Sequence, residues 1–199
     1  IKVGMDWLGI KFDDEEHISD QIPLLYEKAE QLINSNDAYV CTCKQDDISK
    51  DRREMRPCPC RSLEISGNQE RWKKMFDEKG FKEGQALLRF RGEMNSGNTT
   101  MRDPALFRIN QKHHARLEQK FKVWPTYDFS GIILDSVNGV THAMRSKEFE
   151  LRKELHKTIL QKLDLPIPEF LFFGRLDLVG MPVSKSELKP LIENGKIPW

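Results

Sequence analysis

Between residues 129 and 192 the spacing of apolar side chains switches period repeatedly, and few folds accommodate that rhythm. Residues 129–134 form a short apolar run closed by Asp135, with turn residues Asn138 and Gly139 behind it, a pattern that suits a buried parallel strand. From 147 to 163, Phe149, Leu151, Leu155, Ile159, Leu160 and Leu163 recur at helical spacing. Residues 170–173 read as a second apolar strand, and Ser186 opens another helical pattern through Leu188, Leu191 and Ile192. Strand, helix, strand, helix predicts an α/β fold with a doubly wound parallel sheet. Ligands of such sheets collect at the carboxyl ends of the strands, which draws together the surroundings of Tyr127, the pair Arg175-Leu176 and the loop 183–186.

At 199 residues the chain is long enough for one large or two small domains with a substantial core. A net charge of +1 carries no global sign of nucleic-acid binding, so any RNA contact has to be local. No apolar run approaches a membrane span and nothing resembles a signal peptide. The chain opens on Ile1 without methionine and stops at Trp199, which reads as an internal piece of a longer protein.

Residues 5–10 read as a short buried segment, followed by an acidic connector over 13–16. Ser19 and Asp20 are candidate caps for a core-packing helix carrying Ile22, Leu25, Ala29, Leu32 and Ile33, which 34–37 would end. Residues 38–43 then read as a strand, 71–76 as a short helix burying Trp72, Met75 and Phe76, and 85–91 as a further strand. The Gly-, Asn-, Ser- and Thr-rich segment 92–100 reads as a mobile loop.

Four cysteines fall in two Cys-x-Cys pairs, Cys41 with Cys43 and Cys58 with Cys60. Without a secretory signal they point to reduced cytosolic thiols rather than disulfides. Two pairs separated by a polar loop can set four thiolates around one zinc ion, in a structural role because no coordination position is left open. Four unliganded thiols are the alternative. Between 108 and 122, Arg108, Lys112, Arg116, Lys120 and Lys122 are opposed only by Glu118. This is the best local candidate for a phosphate-facing surface, with a solvated hairpin as the alternative. His113 and His114, lacking a partner, are left out of the metal site.

Several motifs then occur in fixed order: Trp124-Pro125-Thr126-Tyr127-Asp128-Phe129, Gly139-Val140-Thr141-His142, Arg145-Ser146-Lys147-Glu148-Phe149, Gly174-Arg175-Leu176 and Pro182-Val183-Ser184-Lys185-Ser186. Together they resemble the second half of the nucleotide-binding domain of class I aminoacyl-tRNA synthetases, in the glutamyl/glutaminyl branch and closest to its archaeal-type glutamyl members. Residues 6–109 carry the resemblance further upstream, through a Leu-Gly-Ile-like segment, Ala38-Tyr39-Val40-Cys41 and the insertion-domain signature over 101–109.

The resemblance implies a division into 1–37, the end of the first half of the nucleotide-binding domain; 38–122, an inserted α+β acceptor-stem-binding domain with the zinc site; and 123–199, the second half. It implies ATP with Mg2+ as substrate, glutamate as amino acid, tRNA for glutamate and for glutamine isoacceptors as partners, and a cytoplasmic location. Lys185 matches the catalytic lysine of the KMSKS motif, while Pro182 replaces that motif's first lysine. Ser146, Arg175, Leu176, Val183, Ser184 and Lys185 match ATP-side positions, and Tyr127 matches the tyrosine that reads the amino-acid side chain. Arg108, Lys112, Arg116, Lys120 and Arg152 are the candidate tRNA contacts, although Leu151 departs from the acidic residue often present in glutaminyl relatives. Ser130-Gly131 stands where glutaminyl enzymes commonly place a histidine, which favours glutamate. The HIGH motif is not in the sequence, so the 199 residues alone are expected not to activate an amino acid. Alternatives are a glutaminyl enzyme, a zinc-stabilised RNA-binding module without catalysis, and a shortened protein that modifies a tRNA base.

Overall fold

A computed structural model describes residues 2–174 and 184–196, with Lys185 described by its backbone alone. Four strands, β1 (Ala38–Cys41), β2 (Leu87–Phe90), β3 (Ala105–Ile109) and β4 (Val123–Pro125), pair antiparallel in the order β1-β2-β3-β4. Tyr39 lies opposite Arg89, Leu88 opposite Phe107 and Ile109 opposite Val123. Successive side chains of a strand point to opposite faces, and here the two faces have different chemistry. Ala38, Val40, Leu88 and Phe90 enter the main core, while Tyr39, Cys41 and the partly buried Leu87 pack in a second, smaller cluster with Ile48 and Cys58.

The helices are α1 (Lys2–Trp7), α2 (Ile22–Asn34), α3 (Gln45–Arg53), α4 (Ile65–Phe76), α5 (Tyr127–Val137), α6 (Lys153–Lys162) and α7 (Lys185–Glu193). The main core gathers Leu25, Leu32 and Ile33 of α2, Trp72 and Met75 of α4, Phe129, Ile132 and Ile133 of α5, and Leu155, Ile159 and Leu160 of α6 against the sheet. Each such buried side chain contributes roughly 1.5–3 kcal/mol. Helix α2 is bolted down by its tyrosine, whose hydroxyl donates to the Val123 carbonyl at 2.6 Å.

A second sheet pairs β5 (His142–Ser146) with β6 (Glu169–Phe173) in parallel, Ala143 opposite Phe170 and Ser146 opposite Phe173. The crossover is a 3-10 turn over Lys147–Arg152 followed by α6. This parallel unit and the antiparallel sheet together make an α/β fold.

Several local expectations are corrected. Residues 129–134 are helical, inside α5, rather than a strand. Phe129, Ile132, Ile133 and Ser136 lie on one helical face, and the run is too short for periodicity to separate it from a strand. The parallel partner of β6 is instead β5, whose alternation is hidden because one of its two inward residues, Ala143 and Arg145, is charged. None of residues 5–10 is buried, Met5 being half-buried and 6–10 exposed, and Lys2–Trp7 is helical. Ser19 and Asp20 sit in a 3-10 turn, Ile18–Gln21, and Gln21 is the N-cap of α2. Helix α4 starts six residues earlier than expected, at Ile65, and Phe76 is 36% exposed. The loop 92–100 is tied down, since Asn98 Nδ2 and Thr100 Oγ1 donate to the Leu151 carbonyl at 2.7 and 2.9 Å.

Candidate catalytic pocket and metal centre

Strand β1 delivers Cys41 from its last residue and the turn after it delivers Cys43; Cys58 precedes the 3-10 turn Pro59–Ser62, which carries Cys60. The Sγ atoms of Cys41 and Cys58 are 3.7 Å apart, as are those of Cys43 and Cys60. All four lie within 4.8 Å of one another. A tetrahedral ion at Zn–S distances of about 2.3 Å requires sulfur separations of about 3.8 Å, so the donor set fits Zn2+ in geometry and in chemistry. Hydrogen bonds with Cys58 and Cys60, together with burial, push the Cys41 thiol up, and burial first raises Cys43 to about 11. Cys41 and Cys58, by contrast, hold Cys60 well below the ordinary thiol value. Four thiolates this close repel one another, and a cation is needed to keep them together.

The other constellation lies where α5 meets β5. A cavity of about 390 Å³ is lined by Tyr127, Gly131 and Asp135 of α5 and by His142, Met144 and Arg145 of β5, among others. Tyr127 is 50% exposed, its ring 5.4 Å from that of Phe149 and 5.7 Å from the Arg145 guanidinium carbon. Arg145 is buried and donates to Asp135 Oδ2 at 2.6 Å and to His156 Nδ1 at 2.8 Å. An arginine only donates, so His156 accepts at Nδ1 and uses Nε2–H toward Asp128 Oδ1, 3.1 Å away. Asp128 also pairs with Arg152. Burial and the neighbouring arginines lower the His156 pKa against the pull of Asp128, which keeps the ring neutral. Asp128 is lowered despite burial, by its hydrogen bonds to His156 and Arg152 and by their charge.

Tyr127 therefore lines the cavity, and Ser146 ends β5 beside Phe173, at the carboxyl edge of the parallel pair. Ser184 caps α7, accepting from the Glu187 amide at 3.3 Å. Arg175, Leu176 and Val183 lie outside the described residues, and the Lys185 backbone opens α7. Arg108, Lys112 and Lys120 are exposed on and beyond β3, whereas Arg116 pairs with Asp20 and Lys122 donates to the Asp77 carbonyl. His114 stacks on Trp124 with ring centroids 4.9 Å apart. Sequence reasoning gave Arg145, Asp135 and His156 no role in the site; the signal available for Arg145 was its place at the head of the motif 145–149. Among the described residues no helix is long and apolar enough to cross a membrane.

Comparison with known proteins identifies the family. The chain is 55% identical over its whole length to a glutamate–tRNA ligase of Cenarchaeum symbiosum and 51% identical to that of Nitrosopumilus maritimus, covering 35% of each. A glutamate–tRNA ligase of Pyrococcus abyssi is 37% identical over 96% of the chain, which covers 34% of that protein. The chain thus spans about a third of the length of these curated relatives. A crystal structure of a glutamate tRNA ligase from Elizabethkingia meningosepticum, in complex with its amino acid, matches 94% of the chain and 41% of its own with a TM-score of 0.60. At 16% identity that likeness speaks for the fold alone. The family model described as tRNA synthetases class I (E and Q), catalytic domain, matches residues 1–197, and the chain belongs to that family.

Proposed function

We propose that this chain is part of the catalytic core of a glutamate–tRNA ligase, which activates glutamate with ATP and passes it to the 3′ end of tRNA. The observation that carries the reading is the cavity in which Tyr127 and the buried Arg145 face the same space. A guanidinium held between Asp135 and His156 is positioned to meet a carboxylate, and glutamine offers no charge to pair with it. The Tyr127 hydroxyl adds a hydrogen bond to the side chain being read.

Activation joins the amino-acid carboxylate to the α-phosphorus of ATP and releases pyrophosphate, so negative charge grows on phosphate oxygens. Lys185 stands at the first turn of a capped helix, where the helix dipole and free N–H groups favour anions. It is assigned the catalytic phosphate contact, and Arg175, Leu176, Val183, Ser184 and Ser146 are assigned to the ATP side, Ser146 standing at the end of β5. Mg2+ would travel with the ATP as part of the substrate. The stretch 38–122 is assigned as the inserted acceptor-stem domain between nucleotide-binding halves 1–37 and 123–199. Its exposed Arg108, Lys112 and Lys120, together with Arg116 and Arg152, face the tRNA backbone. The cysteine cluster is assigned structural Zn2+ and the protein a cytoplasmic location, a reading that the unpaired cysteines support. A non-catalytic RNA-binding module accounts for the cysteines and the basic stretch but leaves the Tyr127–Arg145 cavity without use.

The test is amino-acid-dependent ATP–pyrophosphate exchange by the full-length protein, with and without tRNA for glutamate or glutamine. Exchange with glutamate is expected; exchange with glutamine alone moves the assignment to the sister enzyme, and no exchange overturns catalysis. Charging of each tRNA in the same assay decides the isoacceptors. Tyr127→Phe should raise the KM for glutamate about tenfold with the fold intact, the cost of one hydrogen bond of about 1.4 kcal/mol.

A further inference from the structure

Beneath the cysteine cluster lies a charge that the fold does not otherwise explain. Arg89, in the interior of the antiparallel sheet, is 1% exposed. A guanidinium stays protonated in proteins, and burying one without an anion is strongly unfavourable. Its Nε donates to the Asp103 carbonyl at 2.8 Å, its Nη1 approaches Cys58 Sγ at 3.4 Å and Cys41 Sγ at 3.9 Å, and its Nη2 has no hydrogen-bond partner among the described residues. The nearby carboxylate of Asp103 is already engaged by the Tyr39 hydroxyl at 2.8 Å, the Gly92 amide at 2.9 Å and Arg61 at 3.0 Å.

A second guanidinium approaches the cluster from another element. Arg71 of α4 reaches Cys60 Sγ at 3.5 Å and the Val40 carbonyl at 3.3 Å. A divalent cation in four thiolates carries two net negative charges, and these two arginines carry two positive ones. The hydroxyls of Tyr39 and Thr42 lie 3.5 and 3.6 Å from Cys58 and Cys60, adding neutral hydrogen-bond partners on the same sulfurs.

We propose that Arg89 and Arg71 are built-in counter-cations of a divalent tetrathiolate centre, positioning residues that hold its thiolates through N–H···S hydrogen bonds. The centre then ties α4 to the antiparallel sheet through charge as well as through metal bonds. The assignment rests on the metal reading of the cysteine cluster and is independent of which amino acid or tRNA the enzyme uses. It also accounts for a buried arginine in the middle of a strand, a position that otherwise favours apolar residues.

The experiment measures zinc content and the rate of zinc transfer to a chromophoric chelator for the full-length protein and its Arg89→Met, Arg89→Lys and Arg71→Met variants. It also records the sulfur-to-cobalt charge-transfer band after Co2+ substitution. One zinc per chain is expected in the wild type, with release 10–100-fold faster in Arg89→Met, the usual scale for groups that orient metal ligands. Arg89→Lys keeps the charge and should fall between the two, which keeps the test informative should Arg89→Met fail to fold. The cobalt band should move to lower energy in Arg89→Met, because thiolates without N–H···S partners are better electron donors; a purely packing role would leave it in place. A wild type that holds zinc while the variants match its release rate and band overturns the role of the arginines and leaves the metal site standing. A wild type that holds no zinc overturns both, whatever the exchange assay says of the enzyme.

Discussion

The cysteine cluster and the Arg145 cavity solve the problem of buried charge in opposite ways. Beside the cavity, which Asp135 and Arg145 line, two carboxylates face two guanidiniums through a neutral histidine: Asp135 and Asp128 balance Arg145 and Arg152, with His156 between. That network is neutral by itself, so a carboxylate ligand has to compete with Asp135 for Arg145, which favours discrimination over raw affinity. Around the cysteines, Arg89 and Arg71 meet sulfurs that cannot all be anionic unless a cation joins them. One region is electrostatically closed without a ligand, and the other would be completed by the proposed cation.

The difference can be broken from either side. The largest effect is expected from Cys58→Ser, which removes one of the four proposed metal ligands and leaves Arg89 facing a neutral hydroxyl. Breaking one side of a buried charge pair costs about 3–5 kcal/mol. At roughly 2–4 °C per kcal/mol for a domain of this size, the melting temperature should fall by about 6–20 °C, and a chelator should lower the wild type but not the variant. Differential scanning calorimetry of both, with and without EDTA, checks this; an unchanged melting temperature would remove the contrast.

Asp128→Asn should cost less, about 2–3 kcal/mol, because the carboxylate retains some access to solvent and its side chain is 15% exposed. It strips Arg152 and His156 of their shared acceptor charge, and denaturant titration reads the loss. The smallest effect is one of pH. His156 titrates in the native protein below the ordinary value of 6.5, so as pH falls below 6.5 the unfolded chain takes up a proton that the native chain does not. Stability therefore declines with falling pH, by at most about 1.4 kcal/mol per pH unit from this residue. The groups facing the ring are Arg145 and Arg152, which oppose its protonation, and Asp128, which favours it. In His156→Gln the slope just below pH 6.5 should be shallower; an equal slope would place the acid sensitivity elsewhere.

The chemistry of the cysteine site is written locally. Two Cys-x-Cys pairs, one at the end of a strand and one at a turn, need only their connecting segment to come together; its polarity marks it as surface, although most of it is the helix α3 rather than the expected loop. The core face of α2 was equally plain, since Ile22, Leu25, Ala29, Leu32 and Ile33 keep helical period and are all buried. The cavity was half visible. Tyr127 stands in a motif that points to it, but Arg145, Asp135 and His156 come from β5, α5 and α6 and share no spacing. The misread segment 129–134 shows the same limit, because six apolar-rich residues satisfy a buried strand and a helix face alike until the neighbours are known.

The sequence by itself thus determined the clustering of the four cysteines, most of the amphipathic helices, the strands β1, β2 and β6, and the motifs that mark the family. Only the tertiary structure decided which arginines go inside. In one dimension Arg89 and Arg145 look like ordinary surface charges, because a guanidinium's burial depends on the anion it will meet, and that anion lies on another element. Periodicity records how a segment meets the core as a whole, whereas charge pairing is a relation between two distant positions, and it comes into being only when the chain closes on itself.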